Sequence, residues 1–298
     1  MRGDRLGHLG SARTAAFSNI SRIACGGSPS QTAPMLIAQL SDVHVGGSRY
    51  DEHLLRTAIA EIDAAEPDLV VVAGDLTDDG YPDQYPLAKE ELSAISCPHV
   101  VRVPGNHDAR NVGYLRFEDT FGARDSRERL SLSGLDVAIV SVDSSKPDLD
   151  EGEIGREHYG WIEEGFAGRA DLRVFVCHHH LLPVPGTGRE RNVIYDAGDT
   201  IECLQRAGVN LVLSGHKHVP YAWRLEDLFI VNAGTVSSLR LRGNTRPCYN
   251  VIEFTGTHVD VWRKYPFHGQ EKIIQFRVDT LEFEKYTARI EGEVTARR

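Results

Sequence analysis

The sequence predicts an α/β fold with two sheets, and three observations carry that prediction. Short apolar runs recur between segments of helical periodicity. Those runs end in loops rich in Asp, Asn and His. The last third of the chain then loses its helices while keeping its strands. Apolar runs separated by helices read as strands of a largely parallel sheet buried on both faces.

Met35–Leu40 (MLIAQL) is the first buried strand. Residues 52–65 place Leu55, Ala58, Ile59 and Ile62 on one helical face. Leu69–Ala73 (LVVVA) is a second, fully apolar strand, followed by a helix near 85–95 and a third strand at Val100–Val103. Further strands are expected at 136–142, 172–177, 210–213 and 228–232, with a helix near 199–207. Tyr249–Phe254, Val259–Lys264 and Ile273–Val278 come next with little helix between them, so a second, more antiparallel sheet packed on the first is expected there. Without repeats, low-complexity blocks or a strong linker, 35–265 reads as one domain. Residues 266–298 form a C-terminal extension: an edge strand, a cap, or a dimer arm that would make the protein a homodimer.

Residues 1–34 are rich in Ser, Gly, Arg and Ala and lack periodicity, as expected of a disordered tail. An organelle transit peptide shares that composition, whereas the apolar core of a secretory signal is absent. The only methionines are Met1 and Met35, and Met35 opens the first strand. This motivates the hypothesis that translation starts at Met35; native protein whose N-terminal sequence begins at Met1 would sink it. The tail holds four arginines against Asp4, a balance of +3, so the remainder carries −13 of a formal net charge of −10. That surface repels a phosphate backbone, so nucleic acid is not an expected partner. No run approaches the roughly 20 apolar residues of a membrane span, so no membrane partner is expected. Cys25, Cys97, Cys177, Cys203 and Cys248 are scattered with no C-x-x-C pair, which suits reduced thiols in the cytoplasm.

The loops at the strand ends carry the chemistry. Ser41-Asp42-Val43-His44 follows the first strand, Gly74-Asp75 the second, and Pro104-Gly105-Asn106-His107-Asp108 the third. Later strands lead into His178-His179-His180 and into Ser214-Gly215-His216-Lys217-His218. In an open α/β sheet, ligands bind outside the carboxyl ends of the strands, so all five clusters can converge. From Asp42 to Asp75 is 33 positions and from Asp75 to Asn106 is 31, each suited to one strand–helix–strand unit. Any one cluster alone reads as a solvated turn; five at five strand ends do not. Mixed imidazole, carboxylate and amide donors suit divalent Mn, Fe, Zn, Ni or Co. Two such cations about 3.5–4 Å apart repel, and a shared carboxylate offsets the repulsion. Asp75, directly after a central strand, is placed to be shared.

The order Asp-x-His, Gly-Asp, Gly-Asn-His-Asp, His-His, Gly-His-x-His resembles the calcineurin-like metallophosphoesterase superfamily over roughly residues 35–255. The resemblance implies a four-layer α/β/β/α sandwich with two central mixed sheets and two divalent ions as cofactors. It implies one ion held by Asp42, His44, Asp75 and His218, and a second by Asp75, Asn106, His178 and His216. His178 is the first residue past its strand, where the family's ligand sits, with His179 as the alternative; His180 stands where the family usually has proline. His107 resembles the family's histidine that contacts the substrate phosphate and assists the leaving group, and Asp108 is a candidate to orient His107 or its loop. Bound cations would supply the positive charge that an acidic protein lacks for a small phosphate-ester substrate.

The implied reaction is attack on phosphorus by a hydroxide bridging two metals. Gly-Asn-His-Asp and Glu151-Gly152-Glu153-Ile154-Gly155 leading to Trp161 resemble bacterial class III cyclic-nucleotide phosphodiesterases, with glycerophosphodiesterases among their relatives. A phosphodiester is therefore the expected substrate. A phosphomonoesterase with the same site and a non-catalytic metal-binding scaffold are the alternatives. Specificity is expected from 183–195, with Arg189, Arg191 and Tyr195, and from 234–247, with Arg240, Arg242 and Arg246.

Overall fold

The first strand, β1 (Met35–Leu40), already shows why the chain needs two sheets and two helical layers. Successive side chains point to opposite faces of a strand. Met35 and Ile37 enter one buried cluster while Ala38 and Leu40 enter another, so both faces of β1 are covered. The computed structural model describes residues 34–187, 192–242 and 245–286. The chain continues through α1 (Glu52–Ala64), β2 (Leu69–Ala73), α2 (Gln84–Leu92) and β3 (Val100–Val103). A 3-10 turn at Arg110–Val112 runs into α3 (Gly113–Phe121), followed by the hairpin β4 (Ser126–Leu132) and β5 (Leu135–Ser141). Then come α4 (Arg156–Phe166), β6 (Leu172–Val176), α5 (Ala197–Arg206) and β7 (Leu211–Ser214). Six strands complete the fold: β8 (Tyr221–Leu225), β9 (Leu228–Asn232), β10 (Tyr249–Phe254), β11 (His258–Tyr265), β12 (Gly269–Arg277) and β13 (Phe283–Lys285).

The strands form two mixed sheets, ordered β13-β12-β11-β10-β1-β2-β3 and β4-β5-β6-β7-β9-β8. β1, β2 and β3 are parallel, and so are β5, β6, β7 and β9. The period of two assigns the layers. In β2, Leu69, Val71 and Ala73 face the central cluster, which they share with Val137, Val174, Leu213 and Val231 of the second sheet. Val70 and Val72 face Leu55, Ile59 and Ile62 of α1 and Tyr85 and Leu92 of α2. On the far side, Val140, Phe175, Val212 and Ile230 pack on Ile162 and Phe166 of α4 and Leu204 of α5. Each fully buried aliphatic side chain contributes about 1.5–3 kcal/mol, so the layers are α/β/β/α by the logic of burial. α1 starts where the Asp51 carboxylate accepts from the backbone N–H groups of His53 and Leu54, satisfying two donors that its first turn leaves free.

One expectation is corrected. The strands of the last third do not build a separate sheet. β10 pairs antiparallel with β1, with Met35 opposite Phe254, so β10 to β13 extend the first sheet and the second is made from 126–232. β12 and β13, the described part of 266–298, are the outermost strands of that sheet. Four elements went unanticipated: α3, β4, α4 and β8. β4 (SRERLSL) and β8 are edge strands, and α3 buries only Gly113 and Phe117, so none shows an apolar run. Residues 1–33, with the expected disordered tail, lie outside the described residues.

Candidate metal centre

The loops that end β1 and β2 are zipped together by their own backbones. Asp42 N–H donates to Gly74 O (3.0 Å), His44 N–H to Asp75 O (2.9 Å) and Val45 N–H to Leu76 O (3.0 Å). The buried Asp108 carboxylate then ties the second loop to the third, accepting from Leu76 N–H, Thr77 N–H, the Thr77 hydroxyl and Gly105 N–H at 2.8–3.0 Å. Asp108 thus holds the loop rather than the His107 ring. From the second sheet, Gly215 N–H donates to His178 O, and His216 N–H to Asp42 Oδ2, each at 3.0 Å. Five of the seven expected ligands sit in left-handed backbone: Asp42 (φ 53), His44 (56), Asp75 (54), His216 (87) and His218 (59). Each such residue costs roughly 1–2 kcal/mol, and that strain concentrates where side chains are aimed at a common point.

That point is reached. Ligand atoms of Asp42, His44 and His218 lie within 4.8 Å of one another, and so do those of Asp75, His178 and His216. The two groups meet at Asp75. Its Oδ1 accepts from His107 N–H (2.9 Å), which leaves Oδ2 facing His178 Nε2 at 3.3 Å and His44 Nε2 at 3.7 Å. Asp42 repeats the pattern: Oδ2 takes His216 N–H, and Oδ1 faces His218 Nε2 at 3.3 Å. His178 Nδ1 donates to Ala73 O (2.7 Å) and His218 Nδ1 to Arg240 O (2.6 Å), so each turns Nε2 inward as the ring atom left for a cation. His44 Nε2 and His218 Nε2 are 2.9 Å apart. Gly74 makes this approach possible: at φ +88, a Cβ there would stand 2.3 Å from His178 Nδ1.

Does this donor set fit divalent cations? Asp42 Oδ1, Asn106 Oδ1 and His216 Nε2 are buried and have no hydrogen-bond partner. Orphaned buried polar atoms are rare in folded proteins, and these three, beside the buried Asp75 carboxylate, are what a cation would satisfy. Burial alone would raise Asp42, but the His218 imidazole holds it at about 2. Asp75 likewise stays well below the usual range, burial being overridden by His178 and His107. Burial depresses His44, His179 and His216, the last two strongly, and takes His180 down to about 4, keeping those imidazoles neutral. His178 is the exception, raised to about 9 because Asp75 outweighs its burial; a cation would take that proton's place. Ionised carboxylates and neutral imidazoles are the forms that bind metal.

The other expected residues take distinct places around this cluster. Asn106 is buried and its Nδ2 donates to Asp150 Oδ1 (3.2 Å). His107 packs edge-on against His44, ring centroids 4.6 Å apart, with Nδ1 against the Asp78 carbonyl oxygen. The His179 ring packs against His216, centroids 4.4 Å apart, with its Nδ1 2.8 Å from Ser144 Oγ, and the backbone of His180 bridges Val193. Arg240 meets the centre through its carbonyl; its side chain and those of Arg242, Arg246 and Tyr195 are exposed. Arg189 and Arg191 lie outside the described residues. Sequence reasoning missed Asp78, whose Oδ1 is 3.2 Å from His44 Nδ1, and Arg110, whose Nη1 is 3.0 Å from His107 Nδ1. Only the proximity of Arg110 to Asn106-His107 pointed to it. The four described cysteines are buried and unpaired, and no helix among the described residues is long and apolar enough to cross a membrane.

Two packed mixed sheets carrying carboxylates and imidazoles at their strand ends define a metallophosphoesterase. Residues 35–220 match the calcineurin-like phosphoesterase family, and the chain belongs to it. A probable glycerophosphodiester phosphodiesterase of Arcobacter nitrofigilis is 30% identical over 156 residues, 49% of this chain and 57% of that protein. A probable cyclic nucleotide phosphodiesterase of Rhodococcus erythropolis is 29% identical over 199 residues, 61% of this chain and 64% of that protein. The aligned part thus spans less than two thirds of either relative's length. Among solved structures, a dimetal phosphatase of Danio rerio shares the fold with a TM-score of 0.62 at 12% identity, over 83% of this chain and 99% of that one.

Proposed function

We propose that the protein hydrolyses a phosphodiester at a dinuclear centre, with Asp42, His44, Asp75 and His218 around one cation and Asp75, Asn106, His178 and His216 around the other. The observation that carries this reading is Asp75, with one oxygen fixed by His107 N–H and the other facing His44 and His178 from the two groups. Divalent ions bound there supply Lewis-acid polarisation of the phosphoryl oxygens and a water acidic enough to ionise near neutral pH. The chain's own residues do the rest. His107 Nδ1–H is held on the Asp78 carbonyl, so the protonated ring would carry its second proton on Nε2, hydrogen-bond the phosphoryl group through it and pass it to the departing alkoxide, ending as the neutral imidazole. Asp78 carries both functions in one residue, since its carboxylate also steadies His44.

Preference for a diester rests on charge. Arg110, the cation beside His107, is already paired with Asp79 (2.9 Å) and Asp150 (2.7 Å), so its charge is not free for a dianionic monoester. The names carried by the two relatives, one a glycerophosphodiester and one a cyclic nucleotide phosphodiesterase, point the same way. The test compares kcat/KM for bis(p-nitrophenyl) phosphate and p-nitrophenyl phosphate with Mn²⁺-loaded protein. A diester preference is expected. A monoester preference overturns the substrate class, and no turnover of either overturns the catalytic reading in favour of a scaffold.

A further inference from the structure

We propose that Asp150 is a positioning residue that sets the amide of Asn106 as a metal ligand; the inference rests on the dinuclear reading above. Asp150 belongs to the loop between β5 and α4, in the half of the molecule built on the second sheet, and reaches Asn106 beyond β3 of the first. A carboxylate only accepts hydrogen bonds. Asp150 Oδ1 at 3.2 Å from Asn106 Nδ2 therefore fixes which end of the amide is which. The NH₂ group turns to Asp150, and Oδ1 is left buried without a hydrogen-bond partner. That is the orientation in which an asparagine binds a cation; the flipped amide would set two carboxamide protons against it.

Asp150 is itself held from two sides. Arg110 Nη2 donates to the same Oδ1 at 2.7 Å, and the Asp150 carbonyl oxygen lies 3.3 Å from His179 Nε2. The loop can pass this close to His179 because residue 152 is glycine: a Cβ there would stand 2.5 Å from His179 Cγ. This gives the second histidine of the triplet a task distinct from metal binding: its Nδ1 engages Ser144 Oγ at 2.8 Å and its Nε2 supports the Asp150 backbone. A half-exposed aspartate on a surface loop is thus the link between a ligand of one sheet and the second half of the fold.

Manganese binding to the full chain tests this, read as stoichiometry and affinity by isothermal titration and as the electron paramagnetic resonance of a coupled Mn²⁺ pair. Wild type is expected to hold two ions. Asp150→Ala should weaken one of them by about 10- to 100-fold, the usual cost of losing such a support, and abolish the coupled signal while the other ion stays. Asp150→Asn, whose amide oxygen still accepts from Asn106 and Arg110, should keep both. In an Asn106→Ala background, Asp150→Ala should cause no further loss. Two tightly held ions in Asp150→Ala would overturn the inference alone. So would an added loss in the Asn106→Ala background. Fewer than two ions in the wild type would overturn the dinuclear reading and this inference with it.

Discussion

Asp42, Asp75, His178 and His218 each have one polar atom fixed by the protein and the other left facing the cluster. Such side chains need no reorganisation to bind a cation, which is how a site on loops becomes as well defined as one on strands. His107 differs: its ring packs edge-on against His44 with Nδ1 against the Asp78 carbonyl, beside the two groups that meet at Asp75. His107→Ala is therefore expected to keep two metal ions and to lose roughly 10²- to 10⁴-fold in kcat. Metal analysis together with steady-state kinetics checks both halves, and full activity would remove His107 from the reaction. The seven expected ligand positions could be named from sequence because each lies within a few residues of an apolar run. Asp78 and Asp150 were not: they belong to no motif, and what matters in them is a carbonyl or an oxygen that only the folded loops bring near His107 and Asn106. The cysteines give a prediction of another kind. Burial pushes Cys177 up to about 12 and Cys203 and Cys248 up to about 11. A thiol reacts as its thiolate, so a Cys25→Ser variant should give almost no rapid reaction with a disulfide reagent at pH 8 until it is unfolded. A prompt full equivalent from the native protein would contradict that burial.

At the scale of elements, β1, β2, β3 and β9 could be bounded within a residue from sequence, since a short apolar run between polar turns leaves little choice of ends. Their pairing could not. The register of β10 on β1 joins residues more than 200 positions apart, and no local period encodes it. For the same reason the last strands were expected in a sheet of their own. What unites the strand ends is equally non-local: Asp108 spans 31 and 32 positions to reach Thr77 and Leu76. Asp108→Ala would leave four donors without their acceptor, three of them on the loop that carries Asp75. The expected cost is on the order of 3 kcal/mol or more, seen as a lower denaturation midpoint, together with weakened metal binding. Gly74→Ala acts on the loop after β2 from its other side, combining a left-handed φ of +88 with an approach of 2.3 Å to His178 Nδ1. It should lower metal affinity more than it lowers stability, because the side chain that must move is one of the proposed ligands. Equal metal affinity in Gly74→Ala, measured by titration, would show that the loop has more room than its geometry indicates.

At the scale of the whole molecule, the centre is a seam. Asp42, His44, Asp75 and Asn106 follow strands of the first sheet, whereas His178, His216 and His218 follow strands of the second. Both proposed ion sites draw donors from both sheets, so each ion would cross-link the two halves at their strand ends. Apolar packing joins the same halves along the strands, where Phe276 of the first sheet stacks on Phe229 of the second at 3.6 Å and 9°. These two kinds of joint respond differently to a chelator. Packing is indifferent to it, while an ion that binds only the folded chain adds RT ln(1 + [L]/Kd), about 2.7 kcal/mol at a hundred times Kd. Without ions the seam brings together buried carboxylates, orphaned acceptors and five left-handed residues whose strain is no longer offset. Removal of metal is therefore expected to lower the thermal midpoint by several degrees, and Mn²⁺ should restore it in a concentration-dependent way. Asp75→Asn, which weakens the carboxylate shared by both sites, should lose most of that metal response. Phe276→Ala should lower the midpoint through a core cost of about 3–5 kcal/mol while keeping the increment due to metal. An increment that vanished in Phe276→Ala and survived in Asp75→Asn would mean that metal acts on the packing of the sheets and not at their shared seam.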